Sequence, residues 1–183
     1  MKSVTVFCGA SAGNQPHFVE AARDLGRRLA NANLHVVYGG GHVGLMGVLA
    51  DAALQAGGHV VGVIPHDLER RELAHPGAQE MYVVNSMHER KALMGKRGDA
   101  FAILPGGFGT LEEYFEVLTW LQLGFHAKPC CLINTHGYFD HLLAFLDHST
   151  DMGFVRPSHR ALVQVAPDPQ TALALLMAKP PTP

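Results

Sequence analysis

Two glycine-rich turns and the charged residues near them carry whatever chemistry this chain can do. They are Gly39-Gly40-Gly41-His42-Val43-Gly44-Leu45-Met46-Gly47 and Pro105-Gly106-Gly107-Phe108-Gly109-Thr110-Leu111-Glu112-Glu113. Each follows a short β-like run and opens a helix-like one. The free N–H groups of a helix's first turn point at whatever sits before it, so each turn is a nest for anionic oxygen. The second turn also carries a carboxylate, Glu113, early in its helix. An anion cradle with an acid beside it suits chemistry on a phosphorylated small molecule.

Thr110-Leu111-Glu112-Glu113 fits the capping box, with Thr110 as N-cap and Glu113 at N3. That structural role alone accounts for both residues. Leu111, Tyr114, Phe115, Leu118 and Leu121 form the apolar stripe of the helix by their three-and-four spacing. Glu113 falls off that stripe, towards Glu116 and Trp120, so its carboxylate is expected near the mouth of the turn. An acid there would activate water or stabilise a cation. Arg90 and Lys91 follow a second capping box, Ser86-Met87-His88-Glu89, and fall near a helix N-terminus. The macrodipole disfavours exposed cations there by up to about 1 kcal/mol. Arg90 also shares a face with Met87 and Met94, and an arginine on a partly apolar face needs an anionic partner. A structural carboxylate, Glu113 or a ligand phosphate would serve. A surface arginine snorkelling to solvent fits the spacing equally well.

The first turn is less specific. Gly39-Gly40-Gly41 allows close approach of backbone to ligand, whereas Gly44 and Gly47 suit tight packing of a helix on a sheet. Gly39, Gly41 and Gly44 match a dinucleotide fingerprint in isolation. The turn follows the second strand, however, and the third ends Val63-Ile64-Pro65 with no acid for an adenosine ribose, which argues against NAD. The absence of a Gly-Lys-Ser/Thr P-loop argues against an ATPase.

The elements that must position these residues alternate. Strands are expected at Val4–Phe7, Leu34–Tyr38, His59–Ile64, Met81–Val84, Ala100–Leu104, Cys130–Ile133 and Val163–Ala166. Helices are expected near His17–Ala32, from the first turn to about Ala56, and at Met87–Lys96, Leu111–Gly124, Phe139–Thr150 and Pro169–Ala178. Short apolar strands alternating with helices predict a mostly parallel sheet with helices on both faces, an α/β, doubly wound, Rossmann-like fold. Ligands of such sheets bind beyond the carboxyl ends of the strands, where both turns fall. The polar segment His66–Glu80, with Glu69, Arg70, Arg71 and Glu72, reads as a surface loop placed to lie over that site. Residues 1–178 are expected to form a single nucleotide-binding domain, followed by a disordered tail, Lys179–Pro183.

The bulk numbers agree. A chain of 183 residues with 48% hydrophobic and 16% charged residues suits one globular domain with a real core. The formal net charge of −2 gives no reason to expect nucleic acid or an anionic membrane as partner. No run of about 18 apolar residues exists to span a bilayer, and the N-terminus reads as a strand, not a signal peptide. Twelve scattered histidines form no metal-binding pair, and adjacent Cys130 and Cys131 point to opposite faces of a strand. No metal, cofactor or disulfide framework is expected, and a reducing cytoplasm is.

Together these motifs resemble a known family. Pro-Gly-Gly-x-Gly-Thr-x-x-Glu, here Pro105–Glu113, is similar to the signature of the LOG ("Lonely Guy") family, the cytokinin riboside 5′-monophosphate phosphoribohydrolases. Gly39–Gly47 looks like its Gly-Gly-Gly-x-x-Gly-Leu-Met-Gly, and Met87-His88-Glu89-Arg90-Lys91 like its Met-His-x-Arg-Lys. Cys8-Gly9-Ala10-Ser11 is similar to the opening Cys-Gly-Ser-Ser, with Ala10 a departure, and Arg71-Glu72 matches a further position. The resemblance covers nearly the whole chain. It implies hydrolysis of the N-glycosidic bond of purine nucleoside 5′-monophosphates of the N6-modified, cytokinin type, to free base and ribose 5-phosphate. It implies Arg90 and Glu113 as the catalytic pair and Gly106, Gly107, Gly109 and Thr110 as the phosphate-binding turn. Glu72, Lys91 and Thr119 match other substrate contacts, with Ser11, Gly40 and Gly41 added from the two remaining motifs. A homodimer with the site near the subunit interface is also implied. Many members were labelled lysine decarboxylases, but nothing in the chain supports a pyridoxal phosphate site. Molybdenum-cofactor carriers look similar in fold and turns, so a binding protein is the alternative; a carrier needs the cradle but not the acid.

Overall fold

Runs of apolar, often β-branched residues become the strands β1 Ser3–Phe7, β2 His35–Tyr38, β3 Val60–Pro65, β4 Glu80–Val84, β5 Ala100–Ile103, β6 Cys130–Ile133 and β7 Gln164–Ala166. In the computed structural model, which describes residues 1–178 apart from the side chains of Arg70 and Arg71, they form one seven-stranded sheet in the order β4-β3-β2-β1-β5-β6-β7. Every pairing is parallel. Parallel neighbours require crossovers, and helices supply them: α1 Pro16–Asn31, α2 Gly44–Gln55, α3 Glu69–Glu72, α4 Met87–Arg97, α5 Phe108–Gln122, α6 Asp140–Asp151 and α7 Pro157–Arg160, while α8 Pro169–Met177 follows the last strand.

Strand order reverses between β1 and β5, and that switch point locates the site. On one face α1, α2 and α8 pack Leu25, Leu29, Leu49 and Leu176 against Val4, Val36 and Cys131. On the other, α4 and α5 bring Met94, Tyr114 and Val117 onto Val37, Phe101 and Cys130. Cys130 and Cys131 thus divide between the two cores, as adjacent strand residues must. Among the described residues no helix is long and apolar enough to cross a membrane.

The expected strands and helices are present with ends that agree to within three residues, and Cys130–Ile133 agrees at both. Two local readings need correction. Helix α5 begins at Phe108 with Gly107 as its N-cap, so Thr110 caps nothing; its side chain is buried over Gly106 instead. Segment His66–Glu80 is not a plain loop: it holds a 3-10 turn, His66–Leu68, and α3. Helix α7 was not anticipated, because four residues leave too short a periodicity to read. The tail Lys179–Pro183 lies outside the described residues.

Candidate active site

The loops that leave β1 and β5 meet at the switch point: the Gly9 N–H donates to the Pro105 carbonyl at 3.0 Å. Their contact forms the floor of a cavity of about 480 Å³, within the size range of small-molecule sites. Gly106, Gly107, Gly109 and Thr110 line one side, with Ser11 and Cys8 beside them; Glu72, Arg90 and Glu113 line the rest with Phe18, Leu68 and Met87. A Cβ at Gly106 would run into the Thr110 hydroxyl, so glycine is required there for close packing of the turn. The first amides of α5 have no helical acceptor, and Gly107, Gly109 and Thr110 at that end of the helix line this space, where the positive end of the helix dipole lies.

Arg90 is held by three contacts. Its Nε donates to the Val63 carbonyl at 3.0 Å, and its Nη2 donates to the Gly39 carbonyl at 2.6 Å and to Glu72 Oε2 at 2.9 Å. The side chain is buried, only 5% exposed, so it does not snorkel. Among the described residues, Nη1 meets only the Met87 sulfur at 3.8 Å. Three of the five guanidinium N–H bonds are thus spent on oxygen; of the two on Nη1 one is free and the other has only this thioether acceptor, a weak one that a ligand can displace. The helix that carries Arg90 is capped at both ends. The Ser86 hydroxyl accepts from the Glu89 N–H at 3.1 Å, and Lys128 Nζ donates to the Gly95 and Gly98 carbonyls at 2.6 Å each.

The direct carboxylate partner of Arg90 is thus Glu72, not Glu113. Sequence spacing could not supply it, because Glu72 reaches Arg90 only through α3 and the turn after it. Glu113 is half-buried on the cavity wall. Burial pushes its carboxyl up to about 7; the Arg90 charge works against that rise, and Glu112 and Glu72 add to it. A carboxyl that titrates near neutrality in a cleft is equipped for proton transfer or for stabilising developing positive charge.

The first glycine turn fastens this arrangement together. A Cβ at Gly39 would run into Arg90 Nη2, so glycine keeps that carbonyl within reach. The His42 N–H donates to the Glu72 and Leu73 carbonyls at 2.9 and 2.8 Å, and the His75 N–H donates to the Gly40 carbonyl at 2.9 Å. Gly40 and Gly41 lie off the cavity wall and serve this stitching. Below them, His42, Asp51 and His75 bring donor atoms within 4.8 Å of one another, a set of types that binds metals. Gly77 N–H donates to His75 Nδ1 at 3.0 Å, which assigns the ring proton to Nε2, and Nε2 donates to Asp51 Oδ1 at 3.1 Å. A metal ligand needs a bare nitrogen at that point, so these residues act as a clip on the loop carrying Glu72.

Two other expected contacts sit elsewhere. Lys91 lies outside the cavity wall, paired with Glu112 and with Glu116 at 3.1 Å. Burial opposes its charge, but the two carboxylates outweigh it and hold its pKa above the ordinary lysine value. Thr119 is exposed, donates to the Phe115 carbonyl at 2.6 Å, and lines a small separate groove with Leu118, Leu146 and Arg160. Tyr138, which sequence reasoning missed, stands on the cavity wall with its hydroxyl on the Gly106 carbonyl at 2.6 Å. Its only signal in the sequence is Gly137, which hints at a sharp turn after β6.

Known proteins resemble this chain in sequence and in fold. A family model described as "Possible lysine decarboxylase" matches residues 46–176. A cytokinin riboside 5′-monophosphate phosphoribohydrolase of Rhodococcoides fascians is 51% identical over 96% of this chain and 89% of its own length. One from Arabidopsis thaliana is 48% identical over 91% and 78%. Among solved structures, the molybdenum cofactor binding protein of Rippkaea orientalis superposes with a TM-score of 0.73 over 96% of this chain and 95% of that one. At 20% identity that likeness shows the shared Rossmann-like fold alone. The extent and identity of the sequence matches are decisive: the chain belongs to the LOG family, that of the cytokinin riboside 5′-monophosphate phosphoribohydrolases.

Proposed function

We propose that this protein hydrolyses the N-glycosidic bond of N6-modified adenine nucleoside 5′-monophosphates, releasing the free base and ribose 5-phosphate. The observation that carries this reading is one cavity in which a desolvated carboxylate, Glu113, faces a glycine-rich helix N-terminus and the free edge of Arg90. The names of the relatives support the same reaction.

In this account the α5 amides and the Thr110 side hold the 5′-phosphate, which fixes the sugar. Phe18, Leu68 and Met87 offer apolar wall to the base. As the glycosidic bond breaks, its electron pair leaves with the purine nitrogen and positive charge grows on the ribose ring. Ionised Glu113 stabilises that charge. Water then adds to C1′ and gives a proton to Glu113, while the departing purine takes one from solvent. We also place the protein in the cytoplasm as a homodimer. Three free, buried cysteines fit a reducing compartment. Exposed Leu123, Phe125, Phe145, Met152 and Phe154 supply apolar surface of the kind that self-association covers.

The test is incubation with AMP and with N6-isopentenyladenosine 5′-monophosphate, followed by chromatography for the free base. Base release from the nucleotides, with at least tenfold higher kcat/KM for the N6-modified one, is the expected outcome. Release from neither would overturn the reading.

A further inference from the structure

The proposed reaction makes no use of Tyr138, yet its hydroxyl makes a short hydrogen bond to the turn assigned to phosphate. That bond, to the Gly106 carbonyl at 2.6 Å, fixes a peptide plane. No peptide in the described residues is cis, and in a trans peptide the C=O and N–H point in opposite directions. A Gly106 carbonyl turned to Tyr138 therefore sends the Gly107 N–H the other way. Gly107 is the N-cap of α5, at the point where the anion-binding amides begin.

Left alone, this plane is easy to turn over. Neither flanking residue has a Cβ to resist rotation, and a Cβ at Gly107 would meet nothing within 4 Å. A flip would replace an N–H donor in the cradle with a carbonyl oxygen, which repels an anion.

Tyr138 is 42% exposed, and its ring is braced by two aromatic neighbours. Its ring stands edge-on to Phe18 and Phe139, with centroids 5.4 and 4.9 Å away. The chain reaches it through left-handed His136 and Gly137, with φ of 51° and 74°. A non-glycine residue keeps such a φ only where its surroundings enforce it. Asn134 does so, accepting from the Phe139 N–H and donating to Asp140 Oδ1, both at 2.7 Å.

We propose that Tyr138 is a positioning residue: its hydroxyl locks the Gly106–Gly107 peptide in the orientation that presents the Gly107 N–H to the 5′-phosphate. The inference rests on the reading of this cavity as a nucleoside 5′-monophosphate site.

Tyr138→Phe keeps the ring and removes only the hydroxyl. One charge-assisted amide–phosphate bond is at stake, so KM for AMP and Kd for ribose 5-phosphate should each rise about tenfold. The kcat should fall less than threefold, and kcat/KM for adenosine, which lacks the phosphate, should not change. In ¹⁵N-labelled protein, inorganic phosphate should shift the Gly107 amide resonance of wild type and leave that of the variant in place. Three results would overturn the proposal. The first is an unchanged KM in the variant when wild type binds ribose 5-phosphate. The second is an equal loss on AMP and adenosine, which would make Tyr138 merely structural. The third is a raised KM with an intact Gly107 shift, which would mean that the hydroxyl touches substrate itself. Wild-type protein that ignores both ribose 5-phosphate and AMP would overturn the cavity reading, and this inference with it.

Discussion

Glu113→Gln is expected to lower kcat by about 10³-fold, within the range for loss of a positioned acid–base group, while making the protein more stable above neutral pH. The two effects share one cause. Burial holds the folded-state carboxyl at about 7, against 4.5 for an unburied glutamate. Below pH 4.5 the group is neutral in both states and its stability contribution is fully present. Between 4.5 and about 7 the unfolded chain releases a proton that the folded protein still binds, so stability falls as pH rises through that window. Glutamine cannot ionise and escapes the loss. Melting temperatures of the two proteins should therefore be similar near pH 4, diverge in favour of the variant up to pH 7, and run parallel above it. Activity should follow the opposite course. If the ionised carboxylate is the working form, wild-type kcat/KM rises about tenfold per pH unit below 7 and levels off above it, while the residual activity of the variant stays flat. A variant with wild-type kcat, or one whose pH profile keeps the limb, would remove Glu113 from the chemistry.

Arg90→Ala should damage both the fold and the site. The guanidinium satisfies the Val63 and Gly39 carbonyls and the Glu72 carboxylate. Removing it leaves a carboxylate with 18% side-chain exposure and no counter-charge from this arginine. Breaking such a pair costs about 3–5 kcal/mol, a drop in melting temperature on the order of 10 °C for a chain of this size. The Arg90 charge is also the leading influence that opposes the rise in the Glu113 pKa. The ascending limb of kcat/KM should thus move to higher pH in whatever Arg90→Ala protein stays folded. Arg90→Lys restores the charge without the planar fork, so it should return the limb towards its wild-type position while recovering only part of the stability. Thermal melts and pH–rate profiles of the two variants separate these contributions. An Arg90→Ala protein with unchanged melting temperature and pH profile would contradict the arrangement.

Much of this was legible in the chain, for identifiable reasons. Central parallel strands are buried on both faces and read as continuous apolar runs, so Val60–Pro65 was found within a residue of its ends. Glu113 and Arg90 were legible because each sits at fixed spacing inside a local motif. The link between Arg90 and Glu72 was not, since it depends on a four-residue helix and a left-handed Leu73, φ 50°, that no periodicity reveals. The capping box at Thr110 misled because two N-caps compete there. Glycine is an acceptable cap, and Gly107 starts the helix three residues earlier, freeing Thr110 to pack on Gly106. Tyr138 stayed hidden because its direction is set by the left-handed turn at His136 and Gly137, a tertiary outcome. The clip of His42, Asp51 and His75 joins α2 to the loop after α3, residues 24 apart in the case of Asp51 and His75.

The central claim is that water attacks the anomeric carbon of a nucleotide held by its phosphate. Turnover in ¹⁸O-labelled water, with mass spectrometry of the products, tests it most directly. The account requires free base together with ribose 5-phosphate whose C1 oxygen carries the label in the first turnovers, before the sugar exchanges that oxygen with water through its open-chain aldehyde, and a loss of that product by about 10³-fold in Glu113→Gln. Label on inorganic phosphate with the glycosidic bond intact, or labelled ribose 5-phosphate formed equally fast without the Glu113 carboxylate, would contradict it.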